Sequence, residues 1–348
     1  MKSTPADLLT EMATPVAAKR LVAVVVTYNR LTKLKVTLAR LLESPAQELA
    51  AVVVINNAST DGTGDWLDAF AAETLSQGET RLDIINSAVN TGGAGGFATG
   101  MRRAMEHHSP DWLVVMDDDG RPEQGALNRF QTIPDSKWDA IAAAVYFPDG
   151  QICEMNRPSR NPFWHGKEFL RTALKGRSGF HLKSTHYEGD AIGIDVTSFV
   201  GFFVSARAVK ANGYPDPDLF IYGDDGIYTI ELTQAGHSIG FEPQIRFEHD
   251  MATFKVGDDN GAQRGRFVPL WKVYYYHRNL LMLYRIAAGP WFWLAMMAII
   301  PKWLLKTRAH QGEQKVFLRL LILAIRDGLA GRRHRDHAEI MKIASGSR

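Results

Sequence analysis

Residues Asn90 to Gly100 read NTGGAGGFATG, and their interpretation decides the fold. Gly93, Gly95 and Ala98 satisfy G-x-G-x-x-A, the phosphate-binding pattern of dinucleotide folds, with a strand-like RLDIIN before it and a helix-like FATGMRRAMEHH after it. Acids follow in VVMDDDG. A dinucleotide fingerprint, however, directly follows the first strand of its sheet and has its ribose-binding acid at the end of the second. The order of elements around Asn90 therefore has to be established first.

Upstream, LVAVVVT (Leu21 to Thr27) is a continuous β-branched run of the kind found in strands buried on both faces. LTKLKVTLARLLE follows with Leu31, Leu34, Leu38, Leu41 and Leu42 on one helical side. AVVVI (Ala51 to Ile55) predicts a second strand, DWLDAFAAE a helix, RLDII a third strand, and WLVVM a fourth ending at Met116. This alternation predicts βαβ units, hence an α/β, doubly wound, mostly parallel sheet. The glycines then follow the third strand, where a dinucleotide fingerprint does not belong. From Phe147 to Asp190 the periodicity disappears, predicting a long irregular segment. Beyond it come two short apolar runs, a helix closed by Gly213, a helix in DGIYTIELTQAG, and short strands in IGFEP and IRFEHD. After Gly265 the chain turns helical and aromatic, which sets a boundary at residues 255–265.

The chain has 348 residues, 45% of them apolar, enough for one large domain plus an appendage. A net charge of +2 gives no argument for a nucleic-acid partner. The single cysteine, Cys153, excludes an intrachain disulfide framework and fits a cytoplasmic setting. The N-terminal residues lack the apolar core of a signal peptide and read as a loose arm. PWFWLAMMAII, bounded by Pro290 and Pro301, is shorter than the ~20 residues of a spanning helix. Together with the basic, apolar KVFLRLLILAIRDGLAGRRHR it suits either a membrane interface or a buried, oligomer-forming helix.

Parallel α/β sheets gather ligands at the C-terminal ends of their strands. There this sequence places Thr27, Tyr28, Asn29 and Arg30, then Asn56, Asn57 and Asp61, then Asn90 to Gly96, then Asp117, Asp118 and Asp119. Three adjacent carboxylates repel one another unless a cation joins them. Asp117 and Asp119 could share a hard divalent metal, or DDDGRPE could be a solvated turn. A second acidic cluster, FIYGDDGIY, starts a predicted helix; N-capping explains one of Asp224 and Asp225 but not both. His249, in EHD, is a third metal-ligand candidate.

VVVTYNR, VVVINNASTDGT, NTGGAGGF, VVMDDDG, FIYGDDGIY and EHD, in this order, resemble the inverting family 2 glycosyltransferases of GT-A fold, in particular the galactofuranosyltransferase and rhamnosyltransferase branch. The resemblance covers Leu21 to Asp250, and YYYHRN (Tyr274 to Asn279) resembles a tail motif of that branch. It implies a GT-A domain at residues 20–258 between an N-terminal arm (1–19) and a helical, basic C-terminal region (259–348) that associates with membrane or oligomerises. By this resemblance, donor binding falls to Thr27, Asn29, Arg30, Asn57, Asn90, Gly92, Gly93, Asp117 and Asp118. Asp117, Asp119 and His249 would hold Mn²⁺ or Mg²⁺, and Asp225 would be the catalytic base. Asp224, Trp164 and His165 would support the base or the acceptor. Two departures stand out: Asn56 replaces the acid that reads the pyrimidine ring, and Gly223 replaces an aromatic residue.

The implied activity is metal-dependent transfer of a sugar, galactofuranose from UDP-galactofuranose before rhamnose from dTDP-rhamnose, to a lipid-linked or lipopolysaccharide-type glycan. The implied location is the inner face of the cytoplasmic membrane, as a peripheral protein. A nucleotidyltransferase, an NAD(P)-binding oxidoreductase and a non-catalytic binding module are the competing classes.

Overall fold

The computed structural model describes residues 18–251 and 266–346, so the expected boundary at 255–265 lies outside the described residues, as does most of the N-terminal arm. The first half alternates as expected: β1 (Leu21–Thr27), α1 (Leu31–Leu42), β2 (Ala51–Asn56), α2 (Thr63–Ser76), β3 (Leu82–Asn86), α3 (Gly92–His107) and β4 (Trp112–Asp117). Next come β5 (Gly120–Pro122), α4 (Ala126–Gln131), β6 (Ala140–Tyr146), α5 (Gly166–Lys175), β7 (Ile192–Ile194) and β8 (Phe202–Ser205). α6 (Ala206–Asn212), α7 (Asp224–Gln234) and β9 (Ile239–His249) complete this part. The remainder is helical: α8 (Lys272–Ala288), α9 (Phe292–Leu305), α10 (Gln314–Leu329) and α11 (His337–Ala344).

One sheet runs β3-β2-β1-β4-β8-β6-β9-β5, with β7 paired to β9. β1 to β4, β6 and β9 share a direction, and β5, β7 and β8 oppose it. The sheet is therefore mixed and mostly parallel, as the alternation predicted. Both faces of β1 are buried, which explains its unbroken β-branched composition: Val22, Val24 and Val26 face one core, and Ala23 and Val25 the other. Leu34, Leu38 and Leu41 of α1 pack on the second face.

The glycine-rich stretch is helical earlier than its sequence suggests. α3 begins at Gly92, not at Phe97, so GGAGGF (Gly92 to Phe97) forms the first turns of a helix rather than a free loop. A Cβ on Gly96 would lie 2.5 Å from a Val26 methyl, and one on Gly100 2.4 Å from a Val24 methyl. These two residues bring α3 directly onto β1.

Two further expectations change. IGFEP and IRFEHD are a single strand, β9, because it bulges at Pro243 to Ile245, so that Glu242 and Arg246 pair with the successive residues Ala143 and Ala144 of β6. On either side of it Ile239 and Phe241 face one core, whereas Ile245 and Phe247 face the other. The irregular segment from Phe147 to Asp190 also contains a regular helix, α5, none of whose residues is buried.

The C-terminal helices form their own core around Tyr274, Tyr275, Phe317, Leu320 and Leu321. PWFWLAMMAII, expected to be too short to span a bilayer, continues a helical run, Lys272–Ala309, that is long and apolar enough to do so by length and composition. The first part of that run, however, buries His277, Arg278 and Asn279 against protein, which ties it to the fold.

Replacing Gly100 by alanine should cost about 1–3 kcal/mol of overpacking, only partly offset by the ~1 kcal/mol alanine gains in a helix. Its melting temperature is expected to fall. Gly93→Ala, whose Cβ meets only the Phe97 ring edge at 4.0 Å, should keep or raise it.

Candidate active site

The polar residues converge at the C-terminal end of the sheet. Asp117 is the last residue of β4 and pairs with Val26 of β1. The short β5 then pairs antiparallel with the distant end of β9, with Gly120 opposite His249, and this pairing brings the acidic turn to the histidine. The Asp250 amide donates to the Asp119 carbonyl (2.9 Å) and closes the arrangement.

The three consecutive acids have three environments. Asp118 points inward, where the Thr27 hydroxyl donates to its carboxylate (2.7 Å) and the Thr37 hydroxyl to its carbonyl (2.7 Å). Burial, aided by the charge of Asp119, outweighs the Thr27 bond and lifts its pKa to about 7. Asp119 is buried too, but His249 Nε2 lies 3.2 Å from Oδ1 and the Arg30 guanidinium donates to Oδ2. Burial alone would raise its pKa; these two partners hold it below the usual carboxylate value. Asp117 is pushed up to about 7, first by burial and then by the charges of Asp119 and Asp118.

His249 is fixed from behind by residues that sequence reasoning missed. Its Nδ1 donates to Asn156 Oδ1 (2.7 Å), which also accepts from the Cys153 thiol (2.9 Å), while Asn156 Nδ2 donates to Ser198 (2.8 Å). Nε2 is thereby aimed at Asp119, the outer-sphere arrangement that orients a ligating imidazole. Burial lowers the ring's pKa, but the hydrogen bonds to Asp119 and Cys153 and the negative charges beyond them prevail and raise it to about 9. Protonated His249 and Arg30 therefore balance the acids. Among the described residues no three His, Cys, Asp or Glu side chains are set around a metal position. The expected trio is thus joined in part: Asp119 and His249 touch, and Asp117 reaches them through charge.

A cavity of about 400 Å³ opens beside this cluster, lined by Asn29, Arg30, Lys33, Asp61, Asp119 and Asp250. Asn29 and Arg30 line it as expected. Lys33, paired with Asp250 at 2.6 Å, was not singled out from the sequence; nor was Lys272 of α8, which lies near enough to Arg30 for the two charges to interact.

Several expected donor contacts face protein instead. Thr27 is committed to Asp118. Asn57 is 2% exposed; its Nδ2 donates to Asn90 Oδ1 (3.1 Å) and the Gly92 carbonyl (2.9 Å), and its Oδ1 accepts from the Thr91 amide (3.0 Å). Gly92, with φ +71°, has the Phe220 carbonyl 2.0 Å from where a Cβ would stand, so its missing side chain admits that loop rather than a ligand. Of these two glycines only Gly93 has room for a side chain, its nearest neighbour there being the Phe97 ring edge at 4.0 Å. Asn56 holds Asn86 (2.8 Å) and the Ser59 amide (3.1 Å) and so is occupied on both ends. His165 is tied to Asp195 (2.8 Å), and Trp164 beside it is 37% exposed. Among the described residues neither makes a hydrogen bond to the acidic clusters.

The second acidic cluster opens α7. Asp224 is buried and its pKa stands well above the carboxylate norm, through desolvation, the charge of Asp225 and then that of Asp117. The two clusters are therefore within electrostatic reach. Asp225 is partly buried; desolvation raises it to about 6 against the Gly226 amide, which donates to Oδ1 (2.6 Å).

The loop before these acids is strained, with non-glycine residues Phe220 (φ 65°) and Tyr222 (φ 67°) in the left-handed region. Arg278 and Asn279 of the YYYHRN motif hold it. Asn279 Nδ2 donates to the carbonyls of Leu219 (2.9 Å), Ile221 (3.0 Å) and Tyr222 (2.8 Å). Arg278, fully buried against Tyr274 and Tyr275, donates to the carbonyls of Asp218 (2.9 Å) and Leu219 (3.0 Å).

The family is decided by comparison with known proteins: the profile for glycosyl transferase family 2 matches residues 22–206, more than half of the chain. The protein is a family 2 glycosyltransferase. The NAD(P) and nucleotidyl-transfer readings fall with that assignment. An undecaprenyl-phosphate mannosyltransferase of Micrococcus luteus is 36% identical over 155 residues, which are 44% of this glycosyltransferase and 60% of that relative. A galactofuranosyltransferase of Mycolicibacterium smegmatis is 28% identical over 221 residues, 63% of this chain and 67% of that one. Among solved structures, the Pyrobaculum calidifontis mannosyltransferase in complex with GDP-Man and Mn²⁺ superposes with a TM-score of 0.50 at 17% identity. That likeness covers 95% of this chain and 81% of that one. GalNAc-T7 with UDP, GalNAc and Mn²⁺ gives a TM-score of 0.53 at 14% identity, over 76% of this chain and 47% of that one. Both likenesses support the GT-A fold of this glycosyltransferase.

Asn279→Ala should leave loop carbonyls without their donor, costing on the order of 1–3 kcal/mol. We expect a lower melting temperature and a lower kcat for transfer with donor KM little changed. Asn279→Asp, which keeps the shape but not the amide protons, should not restore either.

Proposed function

We propose that this glycosyltransferase moves a hexose, in first place galactofuranose from UDP-galactofuranose, to a hydroxyl of a lipid-linked or cell-surface glycan, with inversion. The observation that carries the reading is the meeting of Asp117, Asp119, Asp224, Asp225, His249 and Arg30 at one end of the sheet. The galactofuranosyl donor is supported by the relatives of that name, which match 63% of the chain. The higher identity of the mannosyltransferase over a shorter stretch favours mannose transfer to a polyprenyl phosphate as the second reading. Rhamnose from dTDP-rhamnose is a further candidate on the sequence motifs.

The donor set fits Mn²⁺ or Mg²⁺ held by Asp117, Asp119 and His249. It is rich in hard oxygens, it carries one imidazole with a fixed tautomer, and its acids are balanced by two cations whose place a divalent ion would take. Such an ion supplies Lewis-acid stabilisation of charge on a leaving diphosphate. Arg30 and Lys33, on the cavity wall, offer the diphosphate further positive charge. Asp225 takes the proton of the acceptor hydroxyl. Its value near 6 leaves it ionised at neutral pH despite its burial, whereas burial and the charge of Asp225 hold Asp224 well above the ordinary carboxylate range. The basic, apolar C-terminal helices dock the enzyme on the cytoplasmic face of the membrane, where α9 exposes Trp293, Leu294 and Met297.

A panel of UDP-galactofuranose, dTDP-rhamnose and GDP-mannose, assayed for nucleotide release with Mn²⁺, tests the reading; release from none of them sinks it. Asp225→Asn should lower kcat by about 10²–10⁴-fold. In the wild type, activity should fall as pH drops through about 6, where Asp225 gains its proton. Asn156→Ala should weaken Mn²⁺ activation about 10–100-fold.

A further inference from the structure

α5 turns its apolar side outward. Phe169, Leu170 and Leu174 are 53%, 62% and 76% exposed. At helical spacing these residues form one stripe, and Lys167, Arg171 and Lys175 run beside it. An isolated exposed leucine means little; a whole amphipathic helix with its apolar face in water lacks a partner.

Two observations say what that partner is. The first is charge: from Arg157 to Tyr187 the chain carries seven lysines and arginines and one acid, Glu168. That acid is turned inward, its side chain 13% exposed and 3.9 Å from both Arg160 and Arg171. The outer surface is thus basic beside an apolar stripe. Two copies meeting through it would oppose like charges, whereas an anionic lipid surface complements it. The second is position: Asn161 Nδ2 donates to the Ala287 carbonyl (2.9 Å), at the end of α8, and Phe163 packs against the C-terminal core while meeting the Phe169 ring at 6.3 Å. α5 and α9 therefore leave the same junction, and α9 exposes its own Trp293, Leu294 and Met297.

We propose that α5 is a second membrane-contact element, supplied by the catalytic domain, which together with α9 seats the protein on an anionic bilayer. This deepens the reading of a lipid-borne acceptor and rests on it for its purpose. The segment carrying Trp164 and His165 would then lie directly at the lipid surface.

The test is sedimentation of the full chain with vesicles of phosphatidylcholine containing phosphatidylglycerol, and with phosphatidylcholine alone, without donor or acceptor. We expect wild-type protein to pellet preferentially with the anionic vesicles. Leu170→Glu/Leu174→Glu, at positions whose exposure spares the fold, should weaken that partition at least tenfold, as should Lys167→Glu/Lys175→Glu. Unchanged partition of the leucine variant would overturn the proposal. So would a wild-type dimer in sedimentation equilibrium that this variant abolishes, since the face would then cover a second copy. Because no sugar is used, failure of the donor panel leaves this result standing, and the converse also holds.

Discussion

The burial of five carboxylates, with mutual repulsion added among them, is the constraint on which this end of the molecule depends. Asp117, Asp118, Asp119, Asp224 and Asp225 crowd the mouth of one sheet, and all but Asp119 are raised above the ordinary range. The protein answers each differently: a threonine hydroxyl for Asp118, a guanidinium and an imidazolium for Asp119, backbone amides for Asp224 and Asp225. What remains open to ligand is a cavity floored by Asp119 and walled by Arg30 and Lys33. That division of labour lets one short acidic turn serve structure and chemistry together.

The glycine-rich stretch shows where sequence reading succeeds and where it stops. Its place after the third strand correctly argued against a dinucleotide site. Which atoms its glycines approach was invisible, because close approach has no local signature: Gly96 and Gly100 answer to Val26 and Val24, and Gly92 to the Phe220 carbonyl. The βαβ alternation was legible because strands buried on both faces must be uniformly apolar. Asn156, the partner that fixes His249, was not, since a single asparagine in an aperiodic stretch differs in no way from a surface one. Asn57, which read as a pocket residue, spends its amide on its own neighbours.

The C-terminal helices are more than an appendage to the catalytic fold. Through Arg278 and Asn279, α8 holds the strained Phe220 to Tyr222 loop, which only Gly223 separates from the paired acids. A loop with two non-glycine residues in the left-handed region relaxes unless its surroundings over-determine it. Here a fully buried arginine and asparagine do so, and the sequence marks both in YYYHRN. The exposed apolar residues of α9 and the helix that holds the acid-presenting loop thus belong to opposite ends of one helical run.

The bulge in β9 carries a consequence of its own. Between Glu242 and Arg246 the strand takes four steps while β6 takes one, an odd surplus, so the later residues swap faces relative to an unbroken ladder. Ile245, Phe247 and His249 owe their side of the sheet to that count. A one-residue slip of the pairing beyond this corner would put a neighbour, not His249, opposite Gly120 and turn His249 away from Asp119. The length of a connecting kink, with no chemistry of its own, is part of the site's specification.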